Sequence, residues 1–324
     1  MLLTVAICTW NRCDLLAQTL NGLTKVAVPD GVDWELIVVD NNSIDQTADV
    51  LAGFRDRLPL RILFEPELGL SVARNRALAD ARGDYVLWTD DDVLVDRYWL
   101  TAYAEAFRRY PTATFFGGPV DPWFDGTPPP WLAAVMSQVS TAYAVKDLGA
   151  ADRALGLAAL PHGANMACAT GPQRRYRYDA ALGRRGAAML GGEETANFHA
   201  MLADGHSGQW VPRAHVRHYI PAARQTTGYL RRYYAGNGAT QPLFNGGRSD
   251  VRLLLGRPRW AWREALTQEL RYCLARPVTA PAIWIEHLKR ASYAWGVLKG
   301  SITTPPAPLP APAPPPATAP IPPA

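Results

Sequence analysis

The sequence predicts an α/β fold in which a mostly parallel sheet is flanked by helices and followed by a helical extension. Over the first 120 residues, short apolar runs alternate with amphipathic stretches, a pattern typical of βαβ units. Farther on, Leu266, Leu270 and Leu274 are spaced four residues apart, which is the spacing of one helix face. The chain has 324 residues, of which 48% are hydrophobic, and this is enough for a large core.

Five apolar runs predict the strands of the sheet, at residues 3–8, 34–40, 61–64, 84–89 and 112–117. Proline, glycine and aromatic residues at 121–131 predict a boundary loop. Beyond this loop we expect a helix at Glu193–Ala203, a strand at Val216–Ile220 and helices at 229–235 and 263–274. The residues after Thr303 are almost entirely proline and alanine, a composition that predicts a disordered tail.

These boundaries divide the chain into four parts. Residues 1–121 and 122–225 are predicted to form two halves of one domain. Residues 226–300 are predicted to form a C-terminal helical region, and residues 301–324 the disordered Pro/Ala tail.

Charged side chains are distributed unevenly along the chain. Residues 1–150 carry 12 basic and 20 acidic side chains, whereas the remaining residues carry 21 and 9. An acidic region binds a phosphorylated ligand most readily through a divalent cation, and a basic region can contact phosphate directly. Both parts of the chain are therefore suited to a ligand that contains a diphosphate.

Several features predict a cytoplasmic protein. The four cysteines form no CxxC pair, the N-terminus lacks the basic segment of a signal peptide, and charged residues interrupt the apolar stretch at 278–298. The C-terminal third is rich in arginine and tryptophan. This composition favours a peripheral contact with anionic lipid at the inner face of the plasma membrane, and a solvated basic face explains it equally well. Nucleic-acid binding is not expected, because no recognition module accompanies the charge.

Polar clusters follow three of the predicted strands. Thr9-Trp10-Asn11-Arg12 follows the first strand, Asp40-Asn41-Asn42 the second and Asp90-Asp91-Asp92 the fourth. Each cluster alone is also explained as a turn or a helix cap. Because ligands of open α/β sheets bind beyond the carboxyl ends of the strands, the three clusters together predict one binding crevice.

The acidic triplet is the strongest indication of a metal site. Adjacent carboxylates repel one another, and at a buried strand end they favour a counter-charge such as Mg²⁺ or Mn²⁺. A solvated acidic loop that caps the following helix is the alternative. A site with two histidines is not expected, because His215 and His218 point to opposite faces of a strand.

Two glutamates begin the predicted helix at Glu193–Ala203. Glu194 shares a helical face with Phe198 and Leu202, whereas Glu193 lies on the flank. We therefore expect Glu194 to face the protein, where burial raises the pKa of its carboxyl group and the helix N-terminus lowers it. Such a carboxylate is suited to act as a general base toward a hydroxyl group. The alternative is that both glutamates only complement the helix dipole.

Taken in order, these motifs resemble those of the family 2 inverting glycosyltransferases, which have the GT-A fold. The resemblance covers about residues 3–236. It rests on Thr9-Trp10-Asn11-Arg12, Val39-Asp40-Asn41, Gly69-Leu70-Ser71-Val72-Ala73-Arg74-Asn75, Asp90-Asp91-Asp92 and Gly192-Glu193-Glu194. His162-Gly163-Ala164-Asn165 is similar to the segment that lines the acceptor side in this family, and a simple turn is the alternative.

The resemblance implies a role for each candidate residue. The nucleotide-sugar donor would be bound by Thr9, Asn11, Arg12, Asp40, Arg74, Asp90 and Asp91. The divalent ion, Mg²⁺ or Mn²⁺, would be held by Asp90 and Asp92, with His218 as a further ligand. Glu194 would be the catalytic base, in the place of the aspartate that relatives usually carry.

The function implied is the transfer of one sugar from a nucleotide-sugar donor to a saccharide or lipid-linked acceptor, in the biosynthesis of a cell-surface glycan. The Q-x-x-R-W segment and transmembrane helices of processive members are missing from the sequence, which favours addition of a single sugar. Two alternatives stay open. One is a sugar-phosphate nucleotidylyltransferase, although its glycine-rich loop is missing where Thr9-Trp10-Asn11-Arg12 stands. The other is a catalytically silent protein that binds nucleotide sugars.

Overall fold

The expected alternation of strands and helices is present in the computed structural model, which describes residues 1–180, 182, 192–244 and 252–300. The strands are β1 (Leu2–Thr9), β2 (Asp33–Asp40), β3 (Leu60–Phe64), β4 (Tyr85–Trp88), β5 (Val93–Val95), β6 (Phe115–Gly117), β7 (Val120–Phe124), β8 (Arg153–Leu155), β9 (Met166–Ala169), β10 (Gly208–Trp210), β11 (Val216–Ile220), β12 (Leu253–Leu254) and β13 (Arg257–Pro258). The helices are α1 (Cys13–Leu23), α2 (Thr47–Gly53), α3 (Leu70–Asp80), α4 (Trp99–Arg109), α5 (Pro130–Val139), α6 (Thr170–Gln173), α7 (Glu193–Ala203), α8 (Thr227–Phe244), α9 (Arg259–Ala275) and α10 (Pro281–Lys299). The predicted tail at 301–324 lies outside the described residues.

Strands β1 to β4 form the parallel part of an eight-stranded sheet with the order β3-β2-β1-β4-β9-β6-β10-β8. β1 pairs in parallel with both β2 and β4, and β9 is inserted antiparallel between β4 and β6. The five predicted apolar runs correspond to β1, β2, β3, β4 and β6. The predicted α/β fold, a mostly parallel sheet flanked by helices with a C-terminal helical extension, is confirmed.

The predicted boundary loop at 121–131 is wrong in its first part, because these residues lie in β7 (Val120–Phe124). β7 pairs in parallel with β11, and β11 pairs antiparallel with β5 in a separate three-stranded sheet. Pro122 is compatible with this position because β7 lies at the edge of the small sheet, where a missing N–H does not interrupt a second ladder. The division of the domain between residues 121 and 122 stays a prediction.

Two hydrophobic clusters cover the two faces of the large sheet. Alternate residues of β1 point to opposite sides, so that Leu3, Val5 and Ile7 pack in one cluster with α1 and α4. Ala6 packs in the other cluster with residues of α3 and α7. The carboxyl ends of the parallel strands therefore remain free of core packing and carry the polar clusters.

The C-terminal helices α8 and α10 pack closely against each other. A Cβ atom at Gly238 would collide with the carbonyl oxygen of Tyr293, and one at Gly296 with that of Ala235. Both helices join α5 and β11 in a third hydrophobic cluster, which attaches the helical region to the small sheet. No helix in the described part of the chain combines the length and apolar character needed to cross a membrane.

Candidate active site

Hydrogen bonds connect the loops that follow β1 and β2. The N–H of Asn11 donates to Ser43 Oγ at 3.0 Å, and the N–H of Ile44 donates to Asn11 Oδ1 at 2.8 Å. Asp40 Oδ1 accepts from the N–H of Ser43 at 2.9 Å. Asn11 has a φ of 51°, a left-handed conformation that asparagine tolerates better than most residues. The first two predicted clusters therefore form one connected surface.

Arg12 joins this surface to the acidic triplet. Its Nη1 donates to Asp91 Oδ1 at 2.9 Å and to Asp92 Oδ2 at 2.8 Å. The Thr9 hydroxyl donates to the other Asp91 oxygen at 2.8 Å. Both oxygens of Asp91 are therefore engaged inside the protein, and burial raises the pKa of this carboxyl to about 6 against the opposing charge of Arg12. The nucleotide contact expected of Asp91 stays a prediction.

Asp90, Asp92 and His218 come together although His218 is far away in sequence. One ligand atom from each lies within 4.8 Å of the others. β11 brings His218 here because it pairs with β5, which follows the triplet directly, and the N–H of Tyr219 donates to the Asp92 carbonyl oxygen at 2.9 Å.

The arrangement of His218 fits a metal ligand. Its Nδ1 donates to the carbonyl oxygen of Tyr143 at 2.8 Å, which directs Nε2 toward the triplet, where it can bind a cation once it has lost its proton. Nε2 lies 3.4 Å from Asp92 Oδ1. Two carboxylates and an imidazole nitrogen form a donor set suited to Mn²⁺ or Mg²⁺.

Charge interactions oppose the effect of burial on the pKa values of Asp92 and His218. Burial alone would raise the pKa of Asp92, but His218 and Arg12 lower it well below its ordinary value. Burial alone would lower the pKa of His218, and Asp92 raises it above the ordinary histidine value. Asp92 is therefore ionised, which is the form of a carboxyl group that binds a cation.

Arg74 of α3 lies between the metal-binding group and the start of α7. Its side chain is 4% exposed, and its Nη1 lies 2.8 Å from Glu193 Oε1 and 3.7 Å from Glu194 Oε2. Its Nη2 lies 4.0 Å from Asp90 Oδ1. One buried guanidinium thus has Asp90 on one side and the two glutamates on the other.

The two glutamates are arranged differently from the prediction. Glu193, which we expected on the flank, is the more buried of the two, with a side chain 5% exposed against 21% for Glu194. The reason is Arg74, because its buried guanidinium donates a short hydrogen bond to the first glutamate of the helix. The expectation that only Glu194 faces the protein is therefore wrong, although Glu194 also lies near Arg74.

The glutamates also differ in protonation. Burial and the neighbouring Glu194 raise the pKa of Glu193 to about 8. Burial would likewise raise the pKa of Glu194, but Arg74 and the hydrogen bond from Glu193 lower it below its ordinary value. At neutral pH the pair therefore shares one proton, with Glu193 neutral and Glu194 ionised.

Comparison with known proteins identifies the class of enzyme. Residues 4–148, somewhat less than half of the chain, match the family described as Glycosyl transferase family 2. The chain is a glycosyltransferase. It is 27% identical over 277 residues to the succinoglycan biosynthesis protein ExoM of Rhizobium meliloti (strain 1021), and the match covers 81% of this chain and 79% of ExoM. It is 30% identical over 151 residues to the validoxylamine A glucosyltransferase of Streptomyces hygroscopicus subsp. limoneus, across 46% of this chain and 33% of that enzyme.

A solved structure supports the fold of the glycosyltransferase. The mannosyltransferase PcManGT from Pyrobaculum calidifontis, in complex with GDP-Man and Mn²⁺, superposes with a TM-score of 0.55 at 18% sequence identity. The superposition covers 91% of this chain and 85% of PcManGT. The expected GT-A fold is confirmed.

In the glycosyltransferase, two residues of the segment His162-Gly163-Ala164-Asn165 have different structural roles. Asn165 is fully buried, and its side chain bonds to Trp99, Tyr103 and two backbone carbonyl oxygens. It holds β9 and the loops beside it together. A Cβ atom at Gly163 would collide with the Arg74 guanidinium, so this glycine allows the segment to pack against Arg74.

The buried position of His162 was not predicted from the sequence. Its Nε2 is buried and has no hydrogen-bond partner among the described residues. Burial and the neighbouring Lys146 lower its pKa to about 4, while the charge of Glu194 opposes them. His162 is therefore a neutral imidazole beside the glutamate pair. The G-A-N motif pointed to the segment, but no sequence pattern marked its histidine.

One cavity lies away from these residues. It has a volume of about 620 Å³ and is lined by residues near the start of β4 and by residues of β9 and α6. The acidic triplet follows the other end of β4. This cavity contains none of the predicted site residues.

Proposed function

We propose that this glycosyltransferase moves a single sugar, with inversion at the anomeric carbon, from a nucleotide-sugar donor to a saccharide or lipid-linked acceptor. The observation that carries the proposal is the position of Arg74, which lies between Asp90 of the metal-binding group and Glu194. The candidate cation site and an ionised carboxylate therefore lie next to the same buried guanidinium. That is the arrangement which a direct displacement requires.

The donor is proposed to bind along the connected ends of the parallel strands. Asp40 and Asn11 would contact the nucleoside, with Thr9 and Asp91 supporting the floor beneath it. Arg12 would balance the charge of the triplet and of the diphosphate. The GDP-Man bound by PcManGT supports a nucleotide sugar as the ligand.

Asp90, Asp92 and His218 would hold the divalent ion, Mg²⁺ or Mn²⁺. When bound, such an ion neutralises the negative charge of a departing nucleoside diphosphate. The Mn²⁺ bound by PcManGT supports this assignment. The carbonyl oxygen of Tyr143 keeps the His218 ring in the orientation that the site needs.

Glu194 is proposed to take the proton from the acceptor hydroxyl as the new glycosidic bond forms. Its ionised state follows from Arg74 and from the proton held by Glu193. Because attack and departure occur on opposite faces of the sugar in one displacement, the configuration at the anomeric carbon inverts.

The acceptor is proposed to belong to a cell-surface glycan. The relative ExoM is named as a succinoglycan biosynthesis protein, which supports a polysaccharide precursor as the acceptor. A lipid-linked acceptor would bring the enzyme to the inner, cytoplasmic face of the membrane as a peripheral protein. Nucleic acid is not among the proposed partners.

The proposal is tested by measuring nucleoside diphosphate release from a panel of nucleotide sugars with Mn²⁺, with Mg²⁺ and with a chelator. Glu194→Gln should lower turnover by about two to four orders of magnitude and leave donor affinity unchanged. Glu105→Gln, on the surface of α4 and 50% exposed, is the matched control and should keep wild-type turnover. The NMR coupling of the anomeric proton in donor and product reports inversion or retention.

Full activity of Glu194→Gln would refute the assignment of the base. Retention of configuration would refute the direct displacement. Release of pyrophosphate from a nucleoside triphosphate, without transfer from any nucleotide sugar, would replace the proposal by nucleotidyl transfer.

A further inference from the structure

Helix α9 (Arg259–Ala275) presents a row of leucines to solvent. Leu266, Leu270 and Leu274 are 58%, 62% and 64% exposed, and their spacing places them one above the other on a single helix face. The buried residues of this helix are Ala261, Ala265, Gln268 and Tyr272. The helix therefore packs on the protein through small and polar side chains, and its leucines point outward.

Arginines accompany these leucines. Arg259 and Arg263 are exposed, and helical spacing places both on the face of the leucines, because Arg259, Arg263 and Leu266 lie three to four residues apart. Arg271 is also exposed and lies at the edge of this face. We call the surface formed by Leu266, Leu270, Leu274, Arg259 and Arg263 the outer face of α9.

The acidic residues of α9 are turned away from the outer face. Glu264 forms an ion pair with Arg290 of α10 at 2.6 Å, and Glu269 forms one with Arg231 of α8 at 2.6 Å. Both carboxylates are thus neutralised by neighbouring helices. The cations of the outer face keep their positive charge exposed, with no acidic partner at ion-pair distance among the described residues.

Further exposed apolar residues lie at both ends of α9. The hairpin of β12 and β13 precedes the helix and exposes Leu253, Leu254 and Leu255 by 59%, 48% and 82%. The hairpin is fixed to the helix start, because the N–H of Arg259 donates to the carbonyl oxygen of Arg252 at 2.9 Å. The turn after the helix exposes Val278 by 78%. Exposed apolar side chains therefore lie before, along and after the helix, which is 17 residues long and spans about 25 Å.

We propose that the outer face of α9 docks on an anionic lipid bilayer. Single exposed leucines are common on protein surfaces. Here three leucines form one helical row, and two exposed arginines precede them on the same face. Buried apolar area and attraction to anionic lipid both contribute to binding at a membrane surface. The leucines would enter the boundary between headgroups and acyl chains, and the arginines would meet lipid phosphates. The absence of a spanning helix in the described residues is compatible with a helix that lies in the plane of the surface.

The charge of the outer face argues against a second copy of this chain as its occupant. A two-fold interface brings the same surface patch of both copies together. In a parallel pairing of the two helices, Arg259 and Arg263 would face the same arginines of the second copy, and like charges across an interface disfavour association. In an antiparallel pairing they would lie against leucines, where buried charges have no acidic partner. An anionic surface supplies the missing counter-charge.

The test is co-sedimentation of the full chain with vesicles of phosphatidylcholine and with vesicles of equal parts phosphatidylcholine and phosphatidylglycerol. The protein should bind the anionic vesicles, bind them less as salt is raised, and stay in solution with the neutral ones. Arg259→Gln with Arg263→Gln should weaken binding about 25-fold, since each arginine near an anionic surface contributes about fivefold. Leu266→Gln with Leu270→Gln and Leu274→Gln should weaken it by about tenfold or more at every salt concentration.

Matched controls come from exposed residues elsewhere. Leu157→Gln alters a leucine that is 64% exposed on another part of the surface, and Arg55→Gln with Arg97→Gln removes two exposed arginines. Both controls should bind vesicles like the wild type. All variants should unfold at the same urea concentration, because the altered side chains are exposed.

Equal binding to neutral and anionic vesicles, or unchanged binding of the leucine variant, would overturn the proposal. A wild-type dimer in sedimentation velocity that the leucine variant converts to a monomer would also overturn it, because the face would then be covered by a second copy. Vesicle binding needs neither donor nor metal, so its failure is distinguishable from a failure of the proposed sugar transfer.

Discussion

The side chain of Arg74 is almost completely buried. Replacing Arg74 by methionine removes its positive charge and keeps much of its apolar length. Arg74 is 4% exposed and its partner Glu193 is 5% exposed, so solvent does not screen this pair. Removing one partner of a buried ion pair costs about 3–5 kcal/mol, because the other carboxylate is left without its counter-charge. We expect Arg74→Met to lower the free energy of unfolding by this amount above pH 8, where Glu193, with a pKa of about 8, would be ionised.

The cost of Arg74→Met should depend on pH. Without the guanidinium the carboxyls of Glu193 and Glu194 remain buried only when neutral, so their pKa values in the folded state rise further. A carboxyl whose pKa is raised on folding stabilises the native state below its unfolded pKa, and this stabilisation is lost as the pH rises through the folded pKa. The difference between variant and wild type should therefore be smallest near the ordinary glutamate pKa of about 4.3 and should grow toward pH 8.

Urea unfolding followed by tryptophan fluorescence across this pH range measures the difference. Arg76→Met is the matched control, because Arg76 lies on the same helix and pairs with Asp80 at 3.0 Å, with side chains 46% and 30% exposed. A surface pair of this kind contributes about 0.2–1 kcal/mol. If Arg74→Met costs no more than Arg76→Met, or if its cost does not change with pH, the reasoning about the buried pair is refuted.

Two further predictions concern the acceptor side and the helical region. His162→Phe removes a buried nitrogen that has no hydrogen-bond partner among the described residues, so the unfolding temperature should stay equal or rise. Calorimetry checks this, and a strongly destabilised variant would show that the nitrogen is satisfied. Gly296→Ala places a Cβ atom against the backbone of α8 and should cost about 1–3 kcal/mol of unfolding free energy. Gly53→Ala, where a Cβ atom meets nothing within 4 Å, is its control in the same urea titration, and equal losses in both variants would contradict close packing of α8 on α10.

Much of the fold was predictable because local patterns carry it. The run at 36–39 is continuously apolar since both faces of a parallel strand are buried, and the amphipathic stretches between such runs predict helices. The prediction of a loop at 121–131 was wrong in its first part for a physical reason. Pro122 and the glycines near it are typical of loops, yet an edge strand tolerates proline. What made these residues a strand was pairing with β11, which lies about a hundred residues later.

The residues of the candidate site could be named from the sequence, but their arrangement in space could not. Strand ends of a parallel sheet meet at one edge, so the meeting of Thr9, Asn11, Arg12 and Asp40 with the acidic triplet followed from order along the chain. The order of burial of Glu193 and Glu194 did not follow, because helical periodicity does not include Arg74, a partner from another helix.

The sequence by itself determined the alternation of strands and helices in the first 120 residues, the acidic triplet and the helix that begins with two glutamates, because these depend on residues close together in the chain. Only the tertiary structure decided that His218 joins Asp90 and Asp92. It also decided that Glu193 and Glu194, beside Arg74, have pKa values shifted in opposite directions, and that the leucines of α9 face solvent. Each of these depends on a neighbour far away in sequence. Charge and burial act through space, so the environment of a side chain is known only when the elements around it are in place.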